Sequence, residues 1–581
     1  MNAALGRDGA TQLALGSAPL VARVVPDVTG LDKQFDYLVP TAMHNRMAVG
    51  SLVRVPLQGR RVGGWVVALG PPDPEVPLEK LVDVARWSSV GPSAALVELA
   101  RWAAPRWGTD RLRPFLVAAS PPSMVAGVRP ERRTVTPQTP GASALHRIAP
   151  LTDPLPLVLE AVQRGPSLVL HPSPAAAAAL ARRLRRHGLT VAVAPEDWAL
   201  AAAGVDVVVG ARAAAWAPCP GLCSVVVLDE HDEAYQEERT PTWHARDVAV
   251  ERARRAGATC VLISPCPTAT AVHWAGPKLI DLPAGRRVHE WPFVDIDDRS
   301  DLEPWRRTLV GSKLVAALRD PTLRVVCVLN TVGRARLLAC RSCRSLQRCE
   351  RCDAAVAQRD DSTLVCPRCD ATRPQVCQVC GATAMALSKP GVSRLREELE
   401  AAANRAVVSV TGDSGELAPA DVYVGTEAVL HRVRGVDVVA FLDFDAELFA
   451  PRYRAAEQAM ALLVRAGRLV GGRTGRGRVL VQTHSPDHVV LQAARFADHQ
   501  RLVESELSRR RLLALPPFGA LAAVEGGGAV DFAAATGLQF APTAKGALVR
   551  AESWDVLGWA LAATERPRQG RLRVEVDPPR A

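Results

Sequence analysis

SVVVLDEHDEAY, residues 224–235, passes without a break from an apolar, β-branched run into Asp229-Glu230-His231-Asp232. A short run of this kind, with no polar alternation, predicts a strand covered on both faces, as in a parallel sheet. An acidic pair at the carboxyl end of such a strand is where nucleotide hydrolases hold Mg²⁺ and orient water. An ordinary solvent loop after a strand spells the same letters, so the pair must be weighed with its surroundings. Outward from it the same grammar recurs: SLVL (167–170), VDVVV (205–209), TCVLI (259–263), RVVCVL (324–329), VVSV (407–410), DVYV (421–424), DVVAFL (437–442) and RVLVQ (478–482), with helix-patterned stretches between them. Strands alternating with helices predict parallel α/β layers, and there are enough for two lobes, 157–300 and 301–507.

A phosphate cradle should accompany those carboxylates: glycines for close backbone approach, then Lys and Ser/Thr. The chain has no Gly-Lys dipeptide, and none of its six lysines (33, 80, 278, 313, 389, 545) precedes Ser or Thr. The stretch leading into SLVL reads LTDPLPLVLEAVQRGPS (151–167), with Pro154 and Pro156 where a glycine-rich turn belongs. ATP hydrolysis by the usual route has thus lost its main electrostatic element. ATP is not an expected cofactor, and no catalytic residue is assigned.

Eight of the thirteen cysteines fall in four Cys-x-x-Cys pairs: Cys340/Cys343, Cys349/Cys352, Cys366/Cys369 and Cys377/Cys380. Each turn presents two thiolates on one side, and two turns complete the S₄ tetrahedron that Zn²⁺ prefers, so four pairs make two closed, structural sites. Redox pairs or an iron–sulfur cluster are the competing readings, and spacing alone leaves open which pairs share an ion. The arginine-rich surroundings offer little core, so metal would supply the cohesion there. Cys219, Cys223, Cys260, Cys266 and Cys327 lie in or near apolar runs and read as core.

The flanks differ in character. Residues 1–19 read as a disordered tail. Short apolar runs between turn residues over 20–70 (LVARVV, FDYLV, SLVRVPL, GGWVVAL), then a helical 92–118, predict a small β-rich domain over 20–120. Eight prolines between 121 and 156 predict a linker, and 508–581 reads as a small C-terminal α+β domain. The 581 residues carry 71 basic against 60 acidic side chains, a net +11, which favours a polyanionic partner. No apolar run of 18 residues and no export pattern appears, so a cytoplasmic protein with no membrane partner is expected.

These stretches together resemble the PriA family of bacterial replication-restart proteins. The matching residues are FDYLVP (35–40), VRVPL (53–57), VVVGARAAAWAP (207–218), VVVLDEHDEAY (225–235), WHARDVAV (243–250), the cysteine cluster, VGTEAVLHRV (424–433), LDFDAELFAPRYRAAEQ (442–458), VLVQTHSPDH (479–488), RRRLLALPPF (509–518) and VEVDP (574–578). The resemblance implies an N-terminal 3′-end DNA-binding domain, two RecA-like lobes, a double zinc insertion (338–384) in the second lobe and a C-terminal domain. It implies nested zinc pairing: Cys340, Cys343, Cys377 and Cys380 on one ion, Cys349, Cys352, Cys366 and Cys369 on the other. It also exposes departures. The family's acidic box is one residue short, leaving Asp229, Glu230 and His231 as a remnant. Its Ser-Ala-Thr motif reads Ser264-Pro265-Cys266-Pro267, and its arginine-finger motif reads VRAGRLVGGR (464–473), out of register. The winged-helix domain is expected to be reduced or missing. Such joint decay implies a branch without helicase activity.

By the same resemblance Phe35, Asp36 and Tyr37 would receive a DNA 3′ end, the ring stacking on the terminal base and Asp36 accepting from the hydroxyl. Alternation along a strand makes one of the two rings core instead. Seven arginines lie between 451 and 478 against one acid, and the Gly/Arg tract with Arg473 and Arg476 could follow a phosphate backbone, or be a solvated loop. The expected function is recognition of stalled or abandoned forks and reloading of the replicative helicase. Expected partners are forks with a 3′ end, primosome components, the helicase or its loader, and single-stranded DNA-binding protein. The alternatives are an active 3′-to-5′ helicase with an unconventional nucleotide site, and a zinc-stabilised scaffold that does not touch DNA.

Overall fold

The computed structural model describes residues 19–31, 33–73, 77–128, 139, 141–300, 309–329, 338–343, 345–360, 362–387, 392–410, 417–472, 475–567 and 571–580. The apolar runs near the N-terminus form β1 (Leu20–Pro26), β2 (Phe35–Val39), β3 (Leu52–Leu57), β4 (Arg60–Gly70) and β5 (Arg86–Ser89), in the antiparallel order β2-β1-β4-β3-β5. The helices Ala94–Arg106 and Arg113–Ala119 follow. They bury Leu96, Leu99, Phe115 and Leu116 in a core that continues into the first lobe.

That lobe is a seven-stranded, wholly parallel sheet. Its strands are β6 (Ala144–Arg147), β7 (Ser167–Leu170), β8 (Val191–Ala194), β9 (Val207–Gly210), β10 (Ser224–Leu228), β11 (Thr259–Ser264) and β12 (Leu279–Asp281), in the order β12-β6-β11-β10-β7-β9-β8. Every residue of β7, β9, β10 and β11 is buried, as unalternating apolar runs require. The second lobe is also parallel: β13 (Phe293–Asp298), β14 (Val325–Val328), β20 (Val407–Val410), β21 (Val422–Gly425), β22 (Val438–Phe441) and β23 (Arg478–Thr483), in the order β13-β23-β22-β14-β21-β20. Between β14 and β20 the cysteine-rich insertion builds β15 (Leu338–Cys340), β16 (Ala357–Asp360), β17 (Thr363–Val365), β18 (Thr372–Pro374) and β19 (Met385–Leu387). The chain closes on an antiparallel sheet of β24 (Ala520–Glu525), β25 (Gln539–Thr543), β26 (Gly546–Ala551) and β27 (Arg573–Val576), covered by the helices Ala529–Ala535 and Trp554–Ala563.

Two expected boundaries move. The stretch 121–156 is not a linker throughout, because β6 lies inside it and pairs between β11 and β12. Its four residues, ALHR, carry only two apolar side chains and sit among prolines, so nothing in the pattern announced a strand. Likewise β13, within the expected first lobe, runs beside β23 in the second; its FVDIDD sequence suits an edge strand, not a covered one. Among the described residues no helix is long and apolar enough to cross a membrane. The expected tail over residues 1–19 lies, but for residue 19, outside the described residues.

Candidate functional site

Ligand sites in parallel sheets form beyond the carboxyl ends of the strands, where connections diverge to opposite sides. In the first lobe that place lies beyond β6, β11 and β10. The loop from β6 to the helix Leu155–Val162, residues 148–154, stands where a phosphate cradle would stand, slightly upstream of the sequence expectation. Three of its amides, and that of Leu155 just after it, are bonded locally. Ile148 N donates to Ser264 O (3.1 Å), Ala149 N to Thr152 Oγ1 (3.1 Å), Thr152 N to Ala149 O (3.1 Å) and Leu155 N to Asp153 Oδ1 (3.1 Å). Pro150, Pro154 and Pro156 have no N–H to give. No lysine lines the cavity beside this loop, which holds about 190 Å³. Ligand pockets typically run from about 300 Å³ upward.

The acidic box following β10 is fully committed within the protein. Asp229 adopts φ +50°, a left-handed conformation that Asp tolerates better than most residues. Its two oxygens each accept a 2.6 Å bond from Arg468, which comes from the second lobe and also donates Nε–H to Pro150 O (3.1 Å). Burial alone would raise the Asp229 carboxyl, but the Arg468 guanidinium outweighs it and holds it well below the usual carboxylate range. Glu230, 1% exposed, accepts from Thr268 N (2.7 Å), Thr268 Oγ1 (3.1 Å) and Arg246 Nη1 (3.2 Å). Both of its carboxylate oxygens are thus engaged by buried donors of the first lobe. His231 Nδ1 bonds Ser264 Oγ (2.8 Å), and burial pushes the ring's pKa down, favouring the neutral form.

Arg468 belongs to one face of the helix Ala455–Val470. The same face carries Glu457, Gln458 and Arg465, at helical spacing. Arg465 Nη2 reaches Asp232 (3.0 Å), while Nη1 bonds Glu427 (2.8 Å) and His431 Nε2 (2.7 Å). Gln458 Nε2 bonds Glu233, and Glu457 accepts from Ala269 N (2.6 Å) and pairs with buried Arg510 (2.7 Å). Within the second lobe Gly467 lets the helix pack on the start of β13: a Cβ there would stand 2.5 Å from Pro292 Cγ. The helix thus stitches the lobes together across the cleft that a nucleotide would occupy. The seven-arginine reading of 451–478 must be revised accordingly. Arg452 and Arg454 are buried, Arg454 against Asp577 (2.5 Å), and Arg465 and Arg468 serve the seam. Arg476 is exposed, and Arg473 lies outside the described residues. The segment described as out of register in fact delivers Arg468 to the acidic box, a role no local signal in the sequence announced.

The cysteines assemble into two clusters, Cys340, Cys343, Cys377 and Cys380, and Cys349, Cys352, Cys366 and Cys369. This is the nested grouping the family resemblance implied. Within each set all four sulfurs lie within 4.8 Å of one another, with Cys340–Cys380 at 3.5 Å and Cys343–Cys377 at 3.4 Å in the outer set and Cys349–Cys369 and Cys352–Cys366 at 3.5 Å in the inner one. Four thiolates about 2.3 Å from a tetrahedral Zn²⁺ lie about 3.8 Å apart, so both sets fit a small S₄-coordinated ion. The inner set is docked on the second lobe. Arg368 donates to Cys352 O (2.9 Å) and Ala450 O (3.1 Å), Ala355 N donates to Phe449 O (2.9 Å), and Arg348 lies 3.7 Å over the Phe449 ring. The five remaining cysteines are buried or half-buried, in keeping with a core role.

At the N-terminal domain, β2 places Phe35, Asp36 and Tyr37 in sequence along one strand. Tyr37 is core, 4% exposed, its hydroxyl donating to Pro56 O (3.0 Å). Phe35 and Asp36 are half-buried, and Asp36 forms a two-bond pair with Arg23 on β1 (2.8 and 3.0 Å). Phe35 and Tyr37 share one face of the strand and pack on the same core, Tyr37 buried and Phe35 half-buried at its edge, while Asp36 points to the opposite face.

Residues 23–112 match the family model of the PriA 3′ DNA-binding domain. The chain is 28% identical to replication restart protein PriA of Bacillus subtilis over 353 residues, 55% of this chain and 43% of that protein. It is 27% identical to PriA of Synechocystis (54% and 42%) and 26% to that of Chlamydia pneumoniae (57% and 48%). The matched stretch thus spans less than half of each relative. Among solved structures, Mycobacterium smegmatis helicase Lhr bound to ssDNA and AMP-PNP covers 70% of this chain and 50% of its own, at 14% identity and TM-score 0.33. S. cerevisiae Dbp5 bound to RNA and ADP BeF3 covers 73% and 98%, at 12% and 0.33. The resemblance to PriA read from the motifs stands, with a small 3′ DNA-binding domain, two parallel α/β lobes and two metal-competent cysteine clusters.

Proposed function

We propose that this chain reads the structure of stalled or abandoned replication forks, binding a free 3′ end through its N-terminal domain, and promotes reloading of the replicative helicase without hydrolysing ATP. The observation that carries the second half is the pairing of Arg468 with Asp229. The carboxylate that would hold a metal–nucleotide complex is neutralised by the opposite lobe, and its neighbour Glu230 is buried in a separate ion pair. The seam then does what nucleotide does in a motor, holding the lobes together, but with no cycle to release them.

In this reading the lobes are a fixed platform. The zinc module is anchored to the second lobe through Arg368 and Arg348, and each cysteine cluster holds one Zn²⁺ that supplies cohesion where apolar core is sparse. The C-terminal domain is tied to both lobes, through Gln236 to Val576 O and Asp577 O (3.2 Å each) and through Arg454 to Asp577. Primosome components, the helicase or its loader, and single-stranded DNA-binding protein are the proposed partners, in the cytoplasm.

The test is fluorescence anisotropy with three DNAs: a fork with a 3′-hydroxyl at the branch, the same fork with a 3′-phosphate, and blunt duplex. Each is titrated with and without ATP and Mg²⁺. The reading requires tightest binding to the 3′-hydroxyl fork and no change on adding ATP. Equal affinity for blunt duplex removes the fork-reading half, and an ATP-dependent affinity removes the other.

A further inference from the structure

A cavity of about 650 Å³ lies where the N-terminal domain meets the first lobe. Trp87, Leu96 and Leu99 wall it on one side, Trp198 and Leu222 on the other. Prolines, glycines and alanines fill most of the remaining surface. Among the described residues three charged ones line it, Arg46, Arg252 and Arg255, and no acid does.

Arg252 is the unusual member. It is 8% exposed, and its hydrogen bond runs from Nη1 to the carbonyl of Ala215 (2.9 Å). Among the described residues it forms no ion pair. Several other deeply buried arginines face a carboxylate: Arg246 faces Glu230 and Asp247, Arg454 faces Asp577, and Arg510 faces Glu457 and Glu506. Taking a guanidinium out of water without an anion is among the costlier things a fold can do, and it is tolerated where a ligand supplies the missing charge. Burial alone depresses the Arg252 pKa, with the Cys219 thiol the one group offsetting it.

Its neighbours are already engaged. Arg255 pairs with Glu251 (2.7 Å), and Arg46 sits 4.1 Å over the Trp87 ring. That second contact occupies a face on which a nucleobase would otherwise stack. One available buried cation, walls of aliphatic and aromatic carbon, and no cluster of donors suited to a phosphate dianion together describe a site for a single negative charge on an apolar body.

We propose that this cavity binds an amphipathic carboxylate, its apolar body between the N-terminal domain and the first lobe and its carboxylate paired with Arg252. The occupant touches both units, so it fixes the angle at which the DNA-binding domain is carried on the lobes. This goes beyond fork recognition and does not depend on it.

The experiment is isothermal titration of the full chain with sodium decanoate, with decylammonium as a probe of the same length and opposite charge. Decanoate is expected to bind at one site and decylammonium to bind at least about tenfold more weakly, the order of a charge-assisted pair. Arg252→Met should weaken decanoate by about tenfold or more, and Arg252→Lys by less. Ala202→Phe, which leaves Arg252 in place and puts a ring into the cavity from another lining position, should also weaken decanoate about tenfold or more, so the result does not hang on how Arg252→Met folds. Equal binding of the two probes, or full decanoate affinity in Ala202→Phe, overturns the proposal. So does a cavity that ignores decanoate but is protected from solvent exchange by a single-stranded oligonucleotide or by a peptide carboxyl terminus.

Discussion

Replacing Arg468 by alanine should loosen the seam between the lobes by an amount the geometry sets. The pair is two-pronged, with both bonds at 2.6 Å, and the Asp229 side chain is only 10% exposed while that of Arg468 is 36% exposed. Breaking a fully buried pair costs about 3–5 kcal/mol, whereas a solvated one is worth about 0–1 kcal/mol. A pair with one partner buried and the other a third in water falls between, at about 2 kcal/mol. The appropriate assay is amide hydrogen exchange on peptides covering 225–235 and 455–470, because a multidomain chain has no single unfolding free energy. Where exchange reports the opening equilibrium, about 2 kcal/mol is an acceleration of about 30-fold in both peptides. Adding Asp229→Asn should return part of that, since the alanine variant alone leaves a recessed carboxylate without its cation. Arg468→Ala is not expected to create ATPase activity, because no lysine lines the cavity beside the 148–154 loop, and Pro150 and Pro154 have no N–H to offer. Exchange within about threefold of the parent protein in both peptides would refute the idea that this pair holds the cleft.

Other consequences follow from the same structure. Phe35→Ala and Asp36→Ala should each weaken binding to a 3′-hydroxyl fork several-fold while leaving blunt-duplex binding unchanged; Tyr37→Phe, which loses only the bond to Pro56 O, should leave fork preference intact, and equal losses on both DNAs would dismiss the pocket. Elemental analysis should find two zinc ions per chain, and Cys366→Ser should retain about one, with faster exchange around Phe449–Tyr453 where Arg368 docks; loss of both ions would show that the clusters are not independent. His244, His488 and His499 are pushed down by burial to about 3, 4 and 4. The folded state therefore binds fewer protons than the unfolded one, and stability should fall as pH drops below about 6.5, by up to about 1.4 kcal/mol per unit for each ring. A thermal midpoint that stays flat between pH 7 and 5 would contradict this.

What the sequence disclosed tracks how local each feature is. SVVVL, VDVVV and TCVLI announce covered strands because every letter points into apolar surroundings, whichever face it lies on. The cysteine pairs were legible for the same reason: the chelating geometry is contained in a four-residue turn. β6 and β13 were not, since ALHR and FVDIDD owe their strand state to neighbours already in the sheet. The missing phosphate loop was visible as letters, although its place shifted upstream once β6 was known. Arg468 was the larger omission. Its partner stands some 240 positions earlier, and a Gly/Arg tract in isolation looks like a phosphate tracker. Only the fold shows that Glu457, Gln458, Arg465 and Arg468 lie on one helical face opposite the acidic box.

The central claim is that the cleft between the lobes is closed by protein charges and turns over no nucleotide. Steady-state phosphate release, measured with saturating ATP and Mg²⁺ on a 3′-hydroxyl fork, addresses it most directly. The rate should be indistinguishable from a no-protein blank and unchanged by Asp229→Ala. DNA-stimulated release that Asp229→Ala abolishes would contradict the account.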